Sequence, residues 1–336
     1  MSVERHVLRE RVERLPRVRF AQLPTPLEAT PRLSAAVGHE ILFKRDDLTG
    51  LAFGGNKTRM FEFLLAEALA RGADTVVAGA AAQSNYCRQL SAAAARTGLR
   101  AVLVLRSVRG PVDHTAQGNL LLDRLLGAEV TVEDVDPDEQ EALLVETAAR
   151  LRQEGATPYL PQHDAYLGAV AYVDCALELV EQLDRLPRRP STLYLAAAGE
   201  THAGLLLGLK AIGDPLRVVG VNPGVDWWDV AARVVELAMR AAERLELPVR
   251  VEPGEVEVLE AYGGDGYGLP TADGIAALKL VARNEGVLLD PVYTSKAMAA
   301  LLETVRSGRH DGEGGIVFLH TGGAPALFHY HGVLEA

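Results

Sequence analysis

The sequence predicts an α/β fold of open, mainly parallel sheets, and three observations carry that expectation. From residue 41 onward, short β-rich runs alternate with longer amphipathic runs, and strands joined by helical crossovers pair in parallel. Aromatic residues are only 5% of the chain while hydrophobic residues are 48%, so the apolar content rests on Ala, Leu and Val beside 32 Gly. That mixture suits helices packed on a buried sheet. The length of 336 residues spans roughly two domains of about 150 residues each.

The elements follow in order. Residues 41–43 read as a strand. Residues 56–71 read as a helix, because Met60, Leu64 and Ala68, and likewise Phe61 and Leu65, fall at the i, i+4 spacing of one face. Gly72 stops it. Residues 75–78 are a strand, 85–96 a helix closed by Gly98, and 101–105 (AVLVL) a further strand. The rhythm continues with a helix at 117–126, a strand at 129–132, and a helix at 138–152 whose acidic first turn suits the helix dipole. A helix at 167–183 precedes strands at 191–196 and 217–221, which flank a helix at 201–211; a late strand covers 315–319. Pro-containing stretches at 157–161 and 186–190 are candidate breaks, and the first fifteen residues are the one candidate for a disordered arm.

The balance of 34 Lys+Arg against 45 Asp+Glu, a net charge of −11, gives no general attraction to nucleic acid or to an anionic membrane. With only Cys87 and Cys175, neither a disulfide framework nor a CxxC metal site can be built, and no metal is expected. Residues 1–19 are dense in Arg and Glu and hold no signal-like apolar stretch; no run of roughly 18 apolar residues occurs. A cytoplasmic location is the expectation.

Absent signatures narrow the chemistry. GxxxxGK[ST], HExxH and GxSxG do not occur, and the glycine-rich tract 263–268 lacks GxGxxG spacing. The first positive signal is Gly54-Gly55-Asn56-Lys57-Thr58-Arg59, where two glycines free the backbone, Asn56 suits an N-cap, and Lys57 lands in the first helical turn. The positive helix end lowers the affinity of that amine for its proton, as a nucleophile or Schiff-base former requires; the plain alternative is a solvated lysine beside a loop. The second is Gln83-Ser84-Asn85-Tyr86 at a helix start, able to hold a carboxylate or simply to cap. A third helix start, at 198–204, can hold a phosphate or be an ordinary turn.

Taken together, the segments LPTPL (23–27), FKRDDLTG (43–50), FGGNKTR (53–59), QSN (83–85), THAGL (201–205), GYG (266–268), LDPVYT (289–294) and HTGGAPAL (320–327) resemble, in order, the pyridoxal-phosphate enzyme family that includes D-cysteine desulfhydrase and 1-aminocyclopropane-1-carboxylate deaminase, within the tryptophan-synthase-β-like, fold type II superfamily. The resemblance implies two open, mainly parallel α/β domains with pyridoxal 5′-phosphate in the cleft between them: a large discontinuous domain of residues 1–49 and 161–336, and a small inserted domain of residues 50–160. It implies Lys57 as the Schiff-base lysine that also moves the substrate α-proton, Asn85 facing the pyridine O3′, and Ser84 with the amides of 84–86 holding the substrate carboxylate. Tyr86, Tyr267 and Tyr293 stand on the substrate side. Asn56, Ala198, Gly199, Glu200, Thr201, Thr294 and Thr321 complete the cofactor set. A homodimer is implied as well.

Within that family, ring-opening deaminases carry Glu and Leu where this chain has Thr294 and Thr321, so β-elimination from a small β-substituted amino acid, giving a 2-oxo acid and ammonia, is the expected reaction. β-Replacement, a specialised substrate, or a catalytically silent binding protein on the same fold are the alternatives. The chain departs from the family at Ala81-Ala82, at Tyr86, at Met60 where a lysine is usual, at Glu200 in the phosphate loop, and at the adjacent Trp227-Trp228. His202 and His320 read as structural, and Cys87 as a small buried hydrophobe.

Overall fold

The computed structural model describes residues 2–197, 199–310 and 314–335. Its strands are β1 (Leu27–Ala29), β2 (Ile41–Arg45), β3 (Thr75–Ala81), β4 (Arg100–Arg106), β5 (Glu129–Glu133), β6 (Pro158–Tyr159), β7 (Thr192–Ala196), β8 (Arg217–Val221), β9 (Glu257–Leu259) and β10 (Ile316–His320). They form a four-stranded sheet in the order β5-β4-β3-β6 and a six-stranded sheet in the order β1-β2-β10-β7-β8-β9. Every pairing is parallel except β1 with β2. The smaller sheet draws only on residues 75–159, and the larger one on the chain before and after it.

The principal helices are α1 (Arg5–Glu13), α2 (Pro31–Val37), α3 (Lys57–Ala70), α4 (Asn85–Thr97), α5 (Gly118–Leu125), α6 (Pro137–Gln153), α7 (Tyr166–Leu183), α8 (Glu200–Ile212), α9 (Val230–Arg244), α10 (Ala272–Glu285) and α11 (Thr294–Arg306). Local sequence explains their ends. Asp136 and Glu139 form a reciprocal capping box ahead of α6, with Pro137 at the first helical position. α4 ends at Gly98 and α8 at Gly213, both left-handed. Gly204 allows α8 to lie against α7, because a Cβ there would stand 2.1 Å from the Ala169 carbonyl oxygen.

The first fifteen residues are not a disordered arm. α1 buries Leu8 and Val12, and Arg5 and Arg9 bind Asp184 and Glu181 at the end of α7, each at 2.5 Å. The apolar face of α1 is narrow and flanked by Arg and Glu, so composition hid it.

The junction of β2, α3 and α7 holds a buried ionic cluster. The Arg59 guanidinium, 1% exposed, donates to both Asp46 oxygens at 2.9 and 3.0 Å, to both Glu178 oxygens at 2.9 Å, and to Thr25 Oγ1 at 3.0 Å. Lys44, fully buried, donates to Glu178, to Gln182 at 2.8 Å and to the Thr25 carbonyl at 2.7 Å. Tyr172 donates to Asp46 at 2.6 Å. Burial pushes the Asp46 and Glu178 carboxyls up, but Arg59 and Lys44 outweigh it and hold both below their usual values.

The cluster sets both the strength and the acid limit of the fold. Arg59→Met leaves two carboxylates buried without their main counter-ion and is expected to cost about 3–5 kcal/mol, read as a lowered urea midpoint. Because the folded values lie below the unfolded 3.8 of Asp46 and 4.5 of Glu178, the stability they supply is present above those values and is lost as the pH falls through the folded ones. An acid titration of the urea midpoint checks this; an unchanged midpoint below about pH 4 contradicts it.

Candidate active site

Lys57 is placed by a strained turn. Gly54 and Gly55 hold φ of 67° and 128°, and a Cβ on Gly54 would lie 2.0 Å from the Asp47 carbonyl oxygen while one on Gly55 would lie 2.6 Å from Gln89 Nε2. Thr49 locks the turn by donating to the Gly55 carbonyl and accepting from its N–H, both at 2.8 Å. Asn56 precedes α3 but does not cap it with its side chain. Its Nδ2 donates instead to Thr201 Oγ1 at 2.9 Å, and its N–H donates to the Thr321 carbonyl at 3.0 Å. The cap comes from α4, where Gln89 Oε1 accepts from the Thr58 N–H at 2.8 Å. Partners distant in sequence thus take over the work expected of Asn56.

Asn56, Lys57, Asn85, Tyr86, Gly199, Glu200, Thr201, Tyr293 and Thr321 line one cavity, joined by Ala196. Ala198 lies outside the described residues. Among the described residues the Lys57 amine has no hydrogen-bond or ion-pair partner. Burial pushes its pKa below 10.5, opposed by the charges of Glu200 and Asp290. A wider surface groove lined by Gln22, Pro24, Asp47 and Phe53 contains no amine.

Ser84 is the N-cap of α4 and lies off the cavity lining: its Oγ accepts from the N–H groups of Tyr86 and Cys87 at 3.1 and 3.3 Å, and its hydroxyl also faces the Cys87 thiol. Asn85 Oδ1 accepts from Asn119 Nδ2 at 2.9 Å, so the Asn85 amide is fixed with its NH2 as the remaining donor. The Tyr86 ring packs edge-on against Phe61 at 4.8 Å, and its buried hydroxyl has no partner among the described residues. Tyr267 is not on the cavity lining; its hydroxyl hydrogen-bonds Tyr293, which is. Burial keeps all three phenols protonated by raising their pKa.

Thr294 is also off the lining. Its hydroxyl donates to Asp290 Oδ2 at 2.8 Å and accepts from the Asp290 N–H at 2.7 Å, leaving no proton for a ligand. Asp290, fully buried, further accepts from the N–H groups of Val292 and Tyr293 at 2.8 and 2.7 Å. Asp290 and Lys296 organise the backbone beside the site and are absent from the residue list drawn from sequence, although the LDPVYT segment contains the first. Lys296, buried, donates to the carbonyls of Pro223 and Gly263 at 2.8 Å and Gly266 at 3.1 Å, fixing the backbone ahead of Tyr267. His202 and Cys87 are fully buried, and burial raises the Cys87 pKa and lowers that of His202 to about 4. His320, likewise buried, spans the Leu288 carbonyl and the Gly322 N–H.

The donor set fits a phosphorylated aldehyde cofactor: an unpartnered amine in a cavity whose opposite rim is the N-terminus of α8, with Gly199 at φ 158° leading into it. Among the described lining residues, Glu200 is the one carboxylate and so the adverse charge. Its methylene carbons lie 3.2 and 3.3 Å from a Cβ placed on Gly168, where Met60 also packs. Since Glu200 favours the protonated amine, Glu200→Gln is expected to move the pH midpoint of Lys57 modification by an amine-directed reagent further down in the cofactor-free protein. An upward or absent shift contradicts this placement.

The sequence profile of the family described as "Pyridoxal-phosphate dependent enzyme" matches residues 18–322. The D-cysteine desulfhydrase of Klebsiella pneumoniae subsp. pneumoniae is 42% identical over 326 residues, covering 96% of this chain and 98% of that protein. The crystal structure of an ACC deaminase homologue superposes with a TM-score of 0.88 at 35% identity, covering 98% of both chains. A T.th. threonine deaminase, at 22% identity and a TM-score of 0.63 over 96% of this chain and 98% of its own, shares the fold. Both sheets, the lysine turn and these likenesses place the chain in the family of pyridoxal-phosphate dependent enzymes, with the fold type II architecture.

Proposed function

We propose that the protein is a pyridoxal-phosphate-dependent lyase that removes a β-substituent from a small amino acid, in the manner named for its D-cysteine desulfhydrase relative, giving a 2-oxo acid and ammonia. The observation that carries this is the unpartnered, burial-activated amine of Lys57 in a cavity opposite the α8 N-terminus. When bound, the cofactor supplies a sink for the electron pair left as the substrate loses its α-proton.

The chain's own groups have the following parts. Lys57 Nζ anchors the cofactor and, once released, takes the α-proton. Ser84 Oγ–H and the start of α4 hold the substrate carboxylate, and the Asn85 NH2 donates to the cofactor ring oxygen. Gly199, Thr201 and the first amides of α8 hold the phosphate, with Asn56 orienting the Thr201 hydroxyl. Tyr293, backed by Tyr267, donates on the substrate side. Thr321 faces the cofactor ring from the lining; Thr294 acts through Asp290 rather than by direct donation, because its proton is already given to that carboxylate. The division into residues 1–49 with 161–336 and an inserted 50–160 is supported by the smaller sheet's drawing only on residues 75–159. A cytoplasmic homodimer completes the reading, supported by two free, buried cysteines and by the exposed Leu48 and Phe53; sedimentation in solution tests the assembly.

The purified protein incubated with pyridoxal 5′-phosphate is expected to gain a visible absorption band and to release 2-oxo acid and ammonia from D-cysteine or β-chloroalanine. Lys57→Ala should lose both; a wild type that stays colourless overturns the reading. Product analysis with added thiol separates elimination from replacement. Glu200→Gln, by removing a negative charge beside the phosphate cradle, is expected to tighten cofactor binding roughly tenfold in an equilibrium titration. Weaker binding would show that Glu200 supports the cofactor instead.

A further inference from the structure

The interior side of α4 carries a cation that no carboxylate pairs. Arg88 is fully buried, and among the described residues its guanidinium has no ion-pair partner; its acceptors are uncharged oxygens. Nη1 donates to the Ala52 carbonyl and, at 3.3 Å, to that of Gly54, which also accepts from Nη2 at 3.3 Å. Nε donates to Asn119 Oδ1 at 2.8 Å, and Nη2 reaches Asn85 Oδ1 at 3.4 Å. Burial lowers the pKa of the guanidinium to about 10, opposed by the charge of Asp123, so the group is a cation at neutral pH. A charge buried among neutral acceptors is costly unless something complements it.

A guanidinium only donates, and that fixes the amides in front of it. Asn119, also fully buried, has to turn its oxygen to Arg88, and both N–H bonds of its NH2 are then spent, on the Gln83 carbonyl at 2.8 Å and on Asn85 Oδ1 at 2.9 Å. Its own backbone N–H is tied to Gln83 Oε1 at 2.9 Å. Asn85 therefore accepts at Oδ1 and keeps its NH2 for the cavity it lines with Lys57. Hydrogen bonds in such a chain polarise one another, so the positive charge of Arg88 strengthens the donor at the far end. The same guanidinium grips the turn before Lys57, where Ala52 holds a φ of 44°. In pyridoxal 5′-phosphate the aldehyde that meets the amine and the ring hydroxyl sit on neighbouring carbons, so the amine and the hydroxyl's donor have to be held at one fixed separation.

We propose that Arg88 is a positioning residue for the cofactor: through Asn119 it orients and polarises the Asn85 NH2 towards an ionised ring oxygen, and through the carbonyls of Ala52 and Gly54 it holds the Lys57 turn in step with that donor. This rests on the placement of Asn85 against the ring oxygen given above and is independent of the reaction that follows.

The test reads binding and absorption and needs no turnover. Asn119→Ala is expected to weaken binding of pyridoxal 5′-phosphate about tenfold in the otherwise native protein and less than about twofold in an Asn85→Ala background. An equal loss in both backgrounds overturns the relay while the Asn85 placement stands; an Asn85→Ala protein that binds the cofactor as the wild type does overturns the placement and the relay together. The second readout is the spectrum of the loaded protein, in which the visible band belongs to the form with an ionised ring oxygen and the near-ultraviolet band to the form with a neutral one. Arg88→Met is expected to shift absorption from the visible to the near-ultraviolet, and Arg88→Lys, which keeps the charge, to retain more of the visible band. This pair decides the matter where Asn119→Ala does not fold. A wild-type spectrum in Arg88→Met, or the same spectrum in both variants, overturns the proposal.

Discussion

The position of Lys57 depends on an ion cluster two residues away along the same helix. Arg59 fastens α3 to Asp46 at the end of β2 and to Glu178 in the middle of α7, with Thr25 as a third anchor. A helix start next to a Gly-Gly turn has little stiffness of its own, since both glycines adopt conformations that other residues avoid. The guanidinium supplies what the turn lacks, because a planar fork satisfied by two carboxylates defines direction as well as distance. Lys44, adding a second buried cation to the same carboxylates, balances the charge that burial would otherwise penalise.

Around the amine, hydrogen-bond capacity is divided between groups already committed and groups left open. Thr294, Asp290, Asn119 and Lys296 are spent on protein partners and fix the frame. Among the described residues, Lys57 and the Tyr86 hydroxyl remain available on the lining. Native interiors rarely leave buried polar atoms unmatched, so the Tyr86 hydroxyl, without a partner among the described residues, stands out on the lining beside Lys57.

Much of this was legible in the sequence, for identifiable reasons. β3, β4 and β7 read correctly because they are buried on both faces and flanked by glycine or proline signals, and α3 because its apolar spacing is regular. The Lys57 turn and the 83–86 helix start are recognisable as local motifs, although the partners that fix them lie elsewhere in the chain. What failed was non-local. The N-terminal helix is held by Leu8 and by Asp184 far along the chain. Asn56 exchanged its cap for Thr201, and Thr294 surrendered its hydroxyl to Asp290. β1 and β9, each of three residues, are too short to show a period.

Cys87 and Cys175 are both fully buried, and burial disfavours the thiolate of each. The native surface is therefore inert to maleimide and iodoacetamide chemistry. A pair of cysteines introduced on exposed loops, one beside each sheet, becomes an address for two dyes or spin labels without first stripping the protein of its own thiols, so the distance between the two sheets can be followed on an otherwise unaltered chain.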